Sequence, residues 1–268
     1  MSKFRIRLGA STLLLTGAFV LVHAHCNRLR AEDPPGVGHE ETTKNCEQID
    51  KAWLAIRACT ALLNALENGN SARIQYYRSR GLAWLKEEEP KEALLDFSRA
   101  LEIDETDLRS LTGLARANSA TGAHNAAAVA WTRALDQAAR LQSEPADTAG
   151  EMYLDRGTAW LADGNTDAAL ADFAKALELK PKNAAAHIAL ASTYIKLNDR
   201  DRALDEFDRA SKIDPSDIRP YMARAEAAER WGDTKLAIES YLLAATSNPR
   251  GAGHARQALK RLGVDRLP

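Results

Sequence analysis

The chain has 268 residues, of which 36 are basic and 37 acidic, so its formal net charge is −1. Hydrophobic residues make up 45% of the sequence and charged residues 27%, a composition that can bury a core and keep the protein soluble. The balanced charge excludes a protein that attracts nucleic acid through a bulk excess of basic residues.

The first residues have the pattern of a secretory signal peptide. Three basic residues within the first seven precede an apolar stretch at 13–22, which is short for a membrane span. Small residues place the cleavage after Ala24, giving a signal peptide of residues 1–24, or after Ala31. We therefore expect a periplasmic or secreted protein. The alternative is an uncleaved segment that anchors the chain to the membrane with the rest facing the periplasm.

The next segment carries two cysteines. Residues 25–45 are polar and contain proline and glycine, so we expect a flexible lead-in. A helix is predicted from Cys46 to about Glu67. Cys46 and Cys59 are 13 residues apart, which permits a disulfide, and export to an oxidising compartment favours one. The alternative is that Cys59 is merely a small buried residue.

Most of the remaining sequence repeats with a period of 34 residues. Segments at Tyr77 and Tyr153 share the same spacing of an aromatic residue, a glycine and a second aromatic residue. Alanines and a further aromatic residue follow at fixed distances, and three more copies show the same pattern. Eight residues, 142–149, interrupt the series after the second copy. The five repeats, numbered one to five, are 74–107, 108–141, 150–183, 184–217 and 218–251.

These signature residues resemble those of the tetratricopeptide-repeat (TPR) family, and the resemblance covers about two-thirds of the chain. It implies an all-α, right-handed solenoid of helix-turn-helix units. Residues 46–70 resemble a degenerate first unit of exported bacterial members, and residues 252–268 resemble a capping helix with a tail. Repeat two departs most from the pattern, because it has Asn118 where an aromatic residue is usual and lacks the proline between repeats.

Each repeat is predicted to form two helices of about 13 residues. Glycine tolerates the positive φ of the turn between them, and Asn198 takes its place in repeat four. The turn glycines are Gly122, Gly164 and Gly232. The aromatic residues expected to fill the gap between neighbouring helices are Phe97, Trp131, Phe173, Phe207 and Tyr241.

In this family the first helices of the units line a concave groove, so the resemblance implies a partner-binding surface there. One stripe of each first helix would face the partner, with a basic end and an apolar middle. Exposed apolar patches tend to be interaction sites; the alternative is that Leu161 and Ile195 pack within the stack. The predicted groove residues are Arg78, Leu82, Lys86, Arg109, Arg116, Leu154, Leu161, Ile188 and Ile195.

No motif for catalysis, phosphate binding or zinc binding is present in the sequence, and the histidines are dispersed. We expect no enzyme, no cofactor, no metal, no small-molecule substrate and no nucleic acid. Asp96, Asp172 and Asp205 recur at similar places, which predicts a solvated helix face. The asparagines of the clamp with which chaperone-binding members hold a peptide carboxylate are missing, so that subtype is not expected.

The leading hypothesis is an extracytoplasmic scaffold or adaptor that binds a protein or peptide partner. An accessory factor that associates with cell-wall material or carbohydrate and supports an envelope enzyme is the alternative. The identity of the partner cannot be read from the sequence.

Overall fold

The computed structural model describes residues 39–66, 71–142, 146–249 and 252–264. Within these ranges the chain forms thirteen α-helices and one 3₁₀ helix, without a strand. The prediction of an all-α fold is confirmed. The predicted signal peptide, the lead-in up to residue 38 and the tail from residue 265 lie outside the described residues.

The helices follow the predicted repeats closely. The five repeats correspond to the pairs α3–α4, α5–α6, α7–α8, α9–α10 and α11–α12, and α13 caps the last pair. The bounds are α1 His39–Glu47, the 3₁₀ helix Ile49–Lys51, α2 Ala52–Ala65, α3 Ala72–Lys86, α4 Pro90–Ile103, α5 Leu108–Ala120, α6 His124–Leu141, α7 Ala146–Asp163, α8 Thr166–Leu179, α9 Ala184–Lys196, α10 Arg200–Ile213, α11 Arg219–Arg230, α12 Thr234–Ser247 and α13 Gly253–Arg261.

Two compact subdomains divide the chain between Glu89 and Pro90. The N-terminal subdomain contains α1 to α3, and the C-terminal subdomain contains α4 to α13. The division falls inside repeat one, between its first helix and its second helix.

The prediction of a flexible lead-in up to residue 45 is wrong for residues 39–45, which are helical. Helix α1 already begins at His39, with Glu40 and Glu41 in its first turn and Lys44 in its last turn. Acidic residues at the start of a helix and basic residues at its end interact favourably with the helix dipole. The helix also stops at Glu47, so the single predicted helix from Cys46 is two helices joined by a 3₁₀ turn.

The predicted disulfide between Cys46 and Cys59 is present and joins α1 to α2. Both cysteines are fully buried. The end of α2 is held by Arg73, whose guanidinium donates to the carbonyl oxygens of Leu63 at 2.8 Å and Leu66 at 2.7 Å. These bonds satisfy backbone acceptors that a helix end otherwise leaves without partners.

The turns inside the repeats have the predicted geometry. In repeat three, Gly164 has a φ of 90°, and the Asn165 N–H donates to the Trp160 carbonyl at 2.8 Å. The Asn165 side chain then accepts from the Ala168 N–H and caps the second helix. The other positive φ angles at the turns inside the repeats are 60° at Glu88, 77° at Gly122, 57° at Asn198 and 72° at Gly232.

Aromatic side chains from the second helices fill the core, as predicted. Phe97, Trp131, Phe173, Phe207 and Tyr241 are at most 3% exposed. Two close approaches depend on glycine: a Cβ at Gly113 would lie 2.3 Å from the Phe97 ring, and one at Gly157 would lie 2.7 Å from the Phe173 ring. Small residues at these points therefore set the distance between successive helices.

Candidate partner-binding surface

The predicted groove residues belong to both subdomains. Arg78 and Leu82 lie half-buried on α3 of the N-terminal subdomain. Lys86 is exposed on the same helix, and its Nζ atom lies 3.3 Å from Asp50 Oδ1. Its charge is thus partly matched within its own subdomain. The other six predicted residues lie in the C-terminal subdomain, on α5, α7 and α9.

The apolar middle of the predicted groove does not stand free in solvent. Leu154 and Leu161 are half-buried and pack against a buried cluster that contains Phe173 and Leu190. Ile188 and Ile195 likewise pack against the cluster of Ala191, Phe207 and Ala227. All four side chains are therefore half-buried against the stack, and their contact with a partner stays a prediction.

The basic end is different, because Arg109 and Arg116 are exposed on α5. They lie seven residues apart, which places them on one side of the helix. Within the described part of the chain, neither guanidinium forms a hydrogen bond or an ion pair. We call the exposed side of α5, α7, α9 and α11, which includes Arg109, Arg116 and Thr158, the first-helix face.

Arg109 and Arg116 line a cavity of about 270 Å³ between α5 and α7, the α5–α7 cavity. It lies at the junction of repeats two and three. Its wall combines apolar, polar and charged side chains: Leu108, Arg109, Thr112 and Arg116 from α5, Trp131 from α6, and Thr148, Glu151, Met152 and Asp155 from α7.

Three repeat positions explain why a cavity exists at this junction. They are the fifth and twenty-fourth residues of one repeat and the sixth residue of the next. Between repeats two and three they are Thr112, Trp131 and Asp155, which all line the cavity. A short threonine and a charged aspartate neither fill this space nor form an apolar contact across it.

The next two junctions carry larger apolar residues at the fifth position and alanine at the sixth. Between repeats three and four the three residues are Leu154, Phe173 and Ala189, which belong to one packed cluster. Between repeats four and five they are Ile188, Phe207 and Ala223, again packed in one cluster. The side chains predicted to anchor a partner therefore fill the space that repeats two and three leave open.

The charges around the α5–α7 cavity do not cancel. Glu151 is matched by Lys180, whose Nζ lies 3.3 Å from Glu151 Oε1. Asp155 forms no hydrogen bond or ion pair with any described residue. Burial raises the pKa of the Asp155 carboxyl, and the positive charge of Arg116 opposes this only in part. Arg116 and Asp155 therefore attract each other without forming an ion pair, and Arg109 remains as an excess positive charge.

A second cavity, of about 830 Å³, lies at the equivalent junction between repeat five and the capping helix, between α11 and α13. The Arg261 Nη2 atom lies 2.6 Å from Glu229 Oε1 and 2.8 Å from Oε2, which ties α13 to α11. Burial and a hydrogen bond to Glu229 raise the pKa of Tyr241 to about 12. Arg261 and Glu229 of this cavity are therefore already paired with each other.

The recurring carboxylates were assigned to a solvated face, and this is wrong for two of the three. Asp96 is 2% exposed and Asp172 is 5% exposed, whereas Asp205 is exposed. The residue of repeat four at the matching position is Glu206, which is buried. Its Oε2 atom lies 2.5 Å from His187 Nδ1. Asp172 is buried because Arg156 binds both of its carboxylate oxygens.

Two searches of the described ranges bear on other kinds of site. No group of three or more histidine, cysteine, aspartate or glutamate residues is arranged to hold a metal ion there. No helix in those ranges combines the length and apolar character needed to cross a membrane.

Comparison with known proteins identifies the repeats. Two family models, each described as a tetratricopeptide repeat, match residues 161–227 and 218–250. Residues 161–250 are therefore tetratricopeptide repeats. No curated protein matches the sequence.

Solved TPR structures share the fold. A TPR protein from Parabacteroides merdae is 19% identical with a TM-score of 0.64, and the match covers 85% of this chain and 94% of that chain. A Thermus thermophilus TPR protein is 22% identical with a TM-score of 0.54, covering 71% and 99%. YrrB, described as a TPR protein with an unusual peptide-binding site, is 18% identical with a TM-score of 0.52, covering 75% and 99%. At these identities the likeness shows the fold alone.

Proposed function

We propose that this TPR protein is an extracytoplasmic scaffold that binds a segment of a partner protein along the first-helix face. TPR repeats support a role in protein–protein interaction, and one structural neighbour, YrrB, has a peptide-binding site. The observation that carries the proposal is the open, charged α5–α7 cavity in a stack whose next two junctions are filled.

The shape of the face favours an extended or helical segment over a small ligand. First helices of consecutive repeats lie side by side from α7 to α11. Packed helices are about 8–10 Å apart, so three repeat steps from the α5–α7 cavity to the α11–α13 cavity span roughly 25–30 Å. An extended peptide of about eight or nine residues covers that distance.

The basic and polar residues of the face, rather than its apolar residues, would provide the contacts. Leu154, Leu161, Ile188 and Ile195 already pack within the stack. Arg109 and Arg116 are exposed and have no partner among the described residues. A charged hydrogen bond to a guanidinium is stronger than a neutral one and also steers association.

The extracytoplasmic location rests on two observations. The first residues have the pattern of a signal peptide. The Cys46–Cys59 disulfide is of a kind that persists in oxidising compartments and is rare in the cytosol. We propose the periplasm or the exterior, with a membrane-anchored form if the first segment is retained. We also propose a non-catalytic role, as is typical of TPR proteins.

The proposal is tested by crosslinking in intact cells followed by affinity purification of the tagged protein. Arg109→Glu with Arg116→Glu should remove the specific partners, because it reverses the two guanidinium charges beside the α5–α7 cavity. Arg133→Glu with Arg140→Glu is the matched control, since these arginines are also exposed and seven residues apart, on α6. Equal recovery of partners by both variants contradicts the proposal, and so does recovery of cell-wall material without a protein partner.

A further inference from the structure

The α5–α7 cavity offers more hydrogen-bond donors than its own side chains use. Arg109 and Arg116 supply two guanidinium groups that form no hydrogen bond with a described residue, although Asp155 attracts Arg116. The Trp131 indole Nε1 is buried without a hydrogen-bond partner, and Trp131 itself is 1% exposed and lines the cavity. The burial of Nε1 closes it off from solvent, so the exposed guanidinium groups of Arg109 and Arg116 are the donors that this cavity presents to a ligand.

The two carboxylates of the cavity wall, Glu151 and Asp155, form no hydrogen bond with Arg109 or Arg116. Glu151 is matched by Lys180 of α8. Asp155 from α7 is the one remaining carboxylate in the cavity wall, against two guanidinium groups from α5. Trp131, the wall residue from α6, carries no charge. Arg109, Arg116 and Lys180 stand against Glu151 and Asp155, which leaves one positive charge in excess and favours an anionic group.

The dimensions of the cavity favour a single side chain. Its volume of about 270 Å³ lies below the range of roughly 300–1,000 Å³ that holds drug-sized ligands. Leu108 and Met152 give its wall apolar surface beside the arginines. An acidic side chain could place its methylene groups against these residues and its carboxylate between the guanidinium groups.

We propose that the α5–α7 cavity is a specificity pocket that receives an aspartate or glutamate side chain of the bound partner segment. The proposal rests on the proposed function, since it names the chemistry by which the first-helix face selects its partner. Arg109 and Arg116 bind the carboxylate, beside the indole ring of Trp131 in the cavity wall.

The repeats themselves supply a substitution that closes the pocket. Thr112 holds the position at which repeats three and four carry Leu154 and Ile188. Its hydroxyl donates only to the Arg109 carbonyl of its own helix, at 2.9 Å. Thr112→Leu therefore fills the space without removing a charge or a contact between helices. Thr158→Leu is the matched control, because Thr158 is exposed on the same face and bonds to the Leu154 carbonyl of its own helix.

The experiment is a titration of the ¹⁵N-labelled full-length protein, followed by the indole N–H signal of Trp131. The chain has five tryptophans, and Trp131→Phe identifies the signal. The probes are the α-amides of N-acetyl-glutamate, N-acetyl-glutamine and N-acetyl-lysine, and N-acetyl-alanine, which presents a chain-terminal carboxylate. Such small probes should bind at millimolar concentration. The glutamate probe should shift the Trp131 signal saturably and at the lowest concentration of the four.

Thr112→Leu should abolish this shift while the other four indole signals stay in place, and Thr158→Leu should retain it. If Thr112→Leu does not fold, Arg109→Gln with Arg116→Gln must abolish the shift instead, since both arginines are exposed. An equal or larger response to the glutamine, lysine or alanine probe overturns the proposal, as does a full response in Thr112→Leu. If the probe experiment fails in this way but Arg109→Glu with Arg116→Glu still removes the cellular partners, the acidic pocket is refuted and the scaffold function is retained.

Discussion

Arg156 and Asp172 form a bidentate ion pair that joins the two helices of repeat three. The Arg156 Nε atom lies 2.8 Å from Asp172 Oδ2, and its Nη2 atom lies 2.7 Å from Oδ1. Repeat two has Leu114 and Ala130 at the same two positions. The same two positions therefore hold an ion pair in repeat three and two apolar residues in repeat two.

This comparison predicts the stabilities of a single variant and a double variant of the pair. Asp172→Ala should lower the free energy of unfolding by about 3 kcal/mol, because it leaves the guanidinium of Arg156 partly buried and unpaired. Arg156→Leu with Asp172→Ala should recover most of this loss, since it recreates the pair of repeat two. Urea unfolding followed by circular dichroism measures both variants. A double variant as unstable as Asp172→Ala would contradict the explanation.

The helix pairs could be predicted from the sequence because the 34-residue period fixes the position of each turn and each core aromatic residue. The burial of Asp172 could not be predicted, because an aspartate on a helix is expected to be exposed unless a buried partner is known. Arg156, seven residues into the repeat, was the available signal, because Arg224 occupies the same position in repeat five. The assignment in repeat four was also one residue out of register, at Asp205 instead of Glu206.

The candidate site was predicted in part. Arg109 and Arg116 were selected as exposed groove residues, and both line the α5–α7 cavity. Leu154 and Ile188 were selected by the same stripe, but the stripe does not show whether a side chain points to solvent or fills a junction. That depends on the residue across the junction, which is alanine in repeats four and five and Asp155 in repeat three.

The close approach at Gly113 provides a second prediction. Gly113→Ala should destabilise the C-terminal subdomain by about 1–3 kcal/mol, because its Cβ would lie 2.3 Å from the Phe97 ring and force the core apart. Gly253→Ala is the control: no atom lies within 4 Å of the new Cβ, and alanine favours helix. Thermal unfolding compares the two. If Gly113→Ala melts at the same temperature as Gly253→Ala, the described packing at this position is incorrect.

Asp155 predicts a pH-dependent difference in stability. Its raised pKa means that the folded protein keeps the proton to a higher pH than the unfolded chain does. The contribution of Asp155 to the free energy of unfolding therefore falls as the pH rises above the ordinary value of 3.8. Asp155→Asn should melt at a higher temperature than the parent protein at pH 7, and this advantage should shrink at pH 4.5. Asp163→Asn, exposed on the same helix, is the comparison. A stability gain that is independent of pH would rule out the titration of Asp155 as its cause.

The disulfide predicts a local effect. The bridge closes a loop between residues 13 apart, so its loss should destabilise the N-terminal subdomain by roughly 2–3 kcal/mol. Cys46→Ala with Cys59→Ala should therefore accelerate amide hydrogen exchange in α1 and α2, and leave α9 to α12 unchanged. Slow exchange in α1 of the variant would mean that packing alone holds this helix in place.

We expect a partner segment to lie on the first-helix face beside the α5–α7 cavity. Site-specific photocrosslinking in intact cells tests it most directly, with the photoreactive residue at Ser119 on α5 or at Ala139 on α6, both exposed. We expect a crosslinked protein at Ser119, weakened by Arg109→Glu with Arg116→Glu, and none at Ala139. Crosslinks that form at Ala139 and are absent at Ser119 would contradict it.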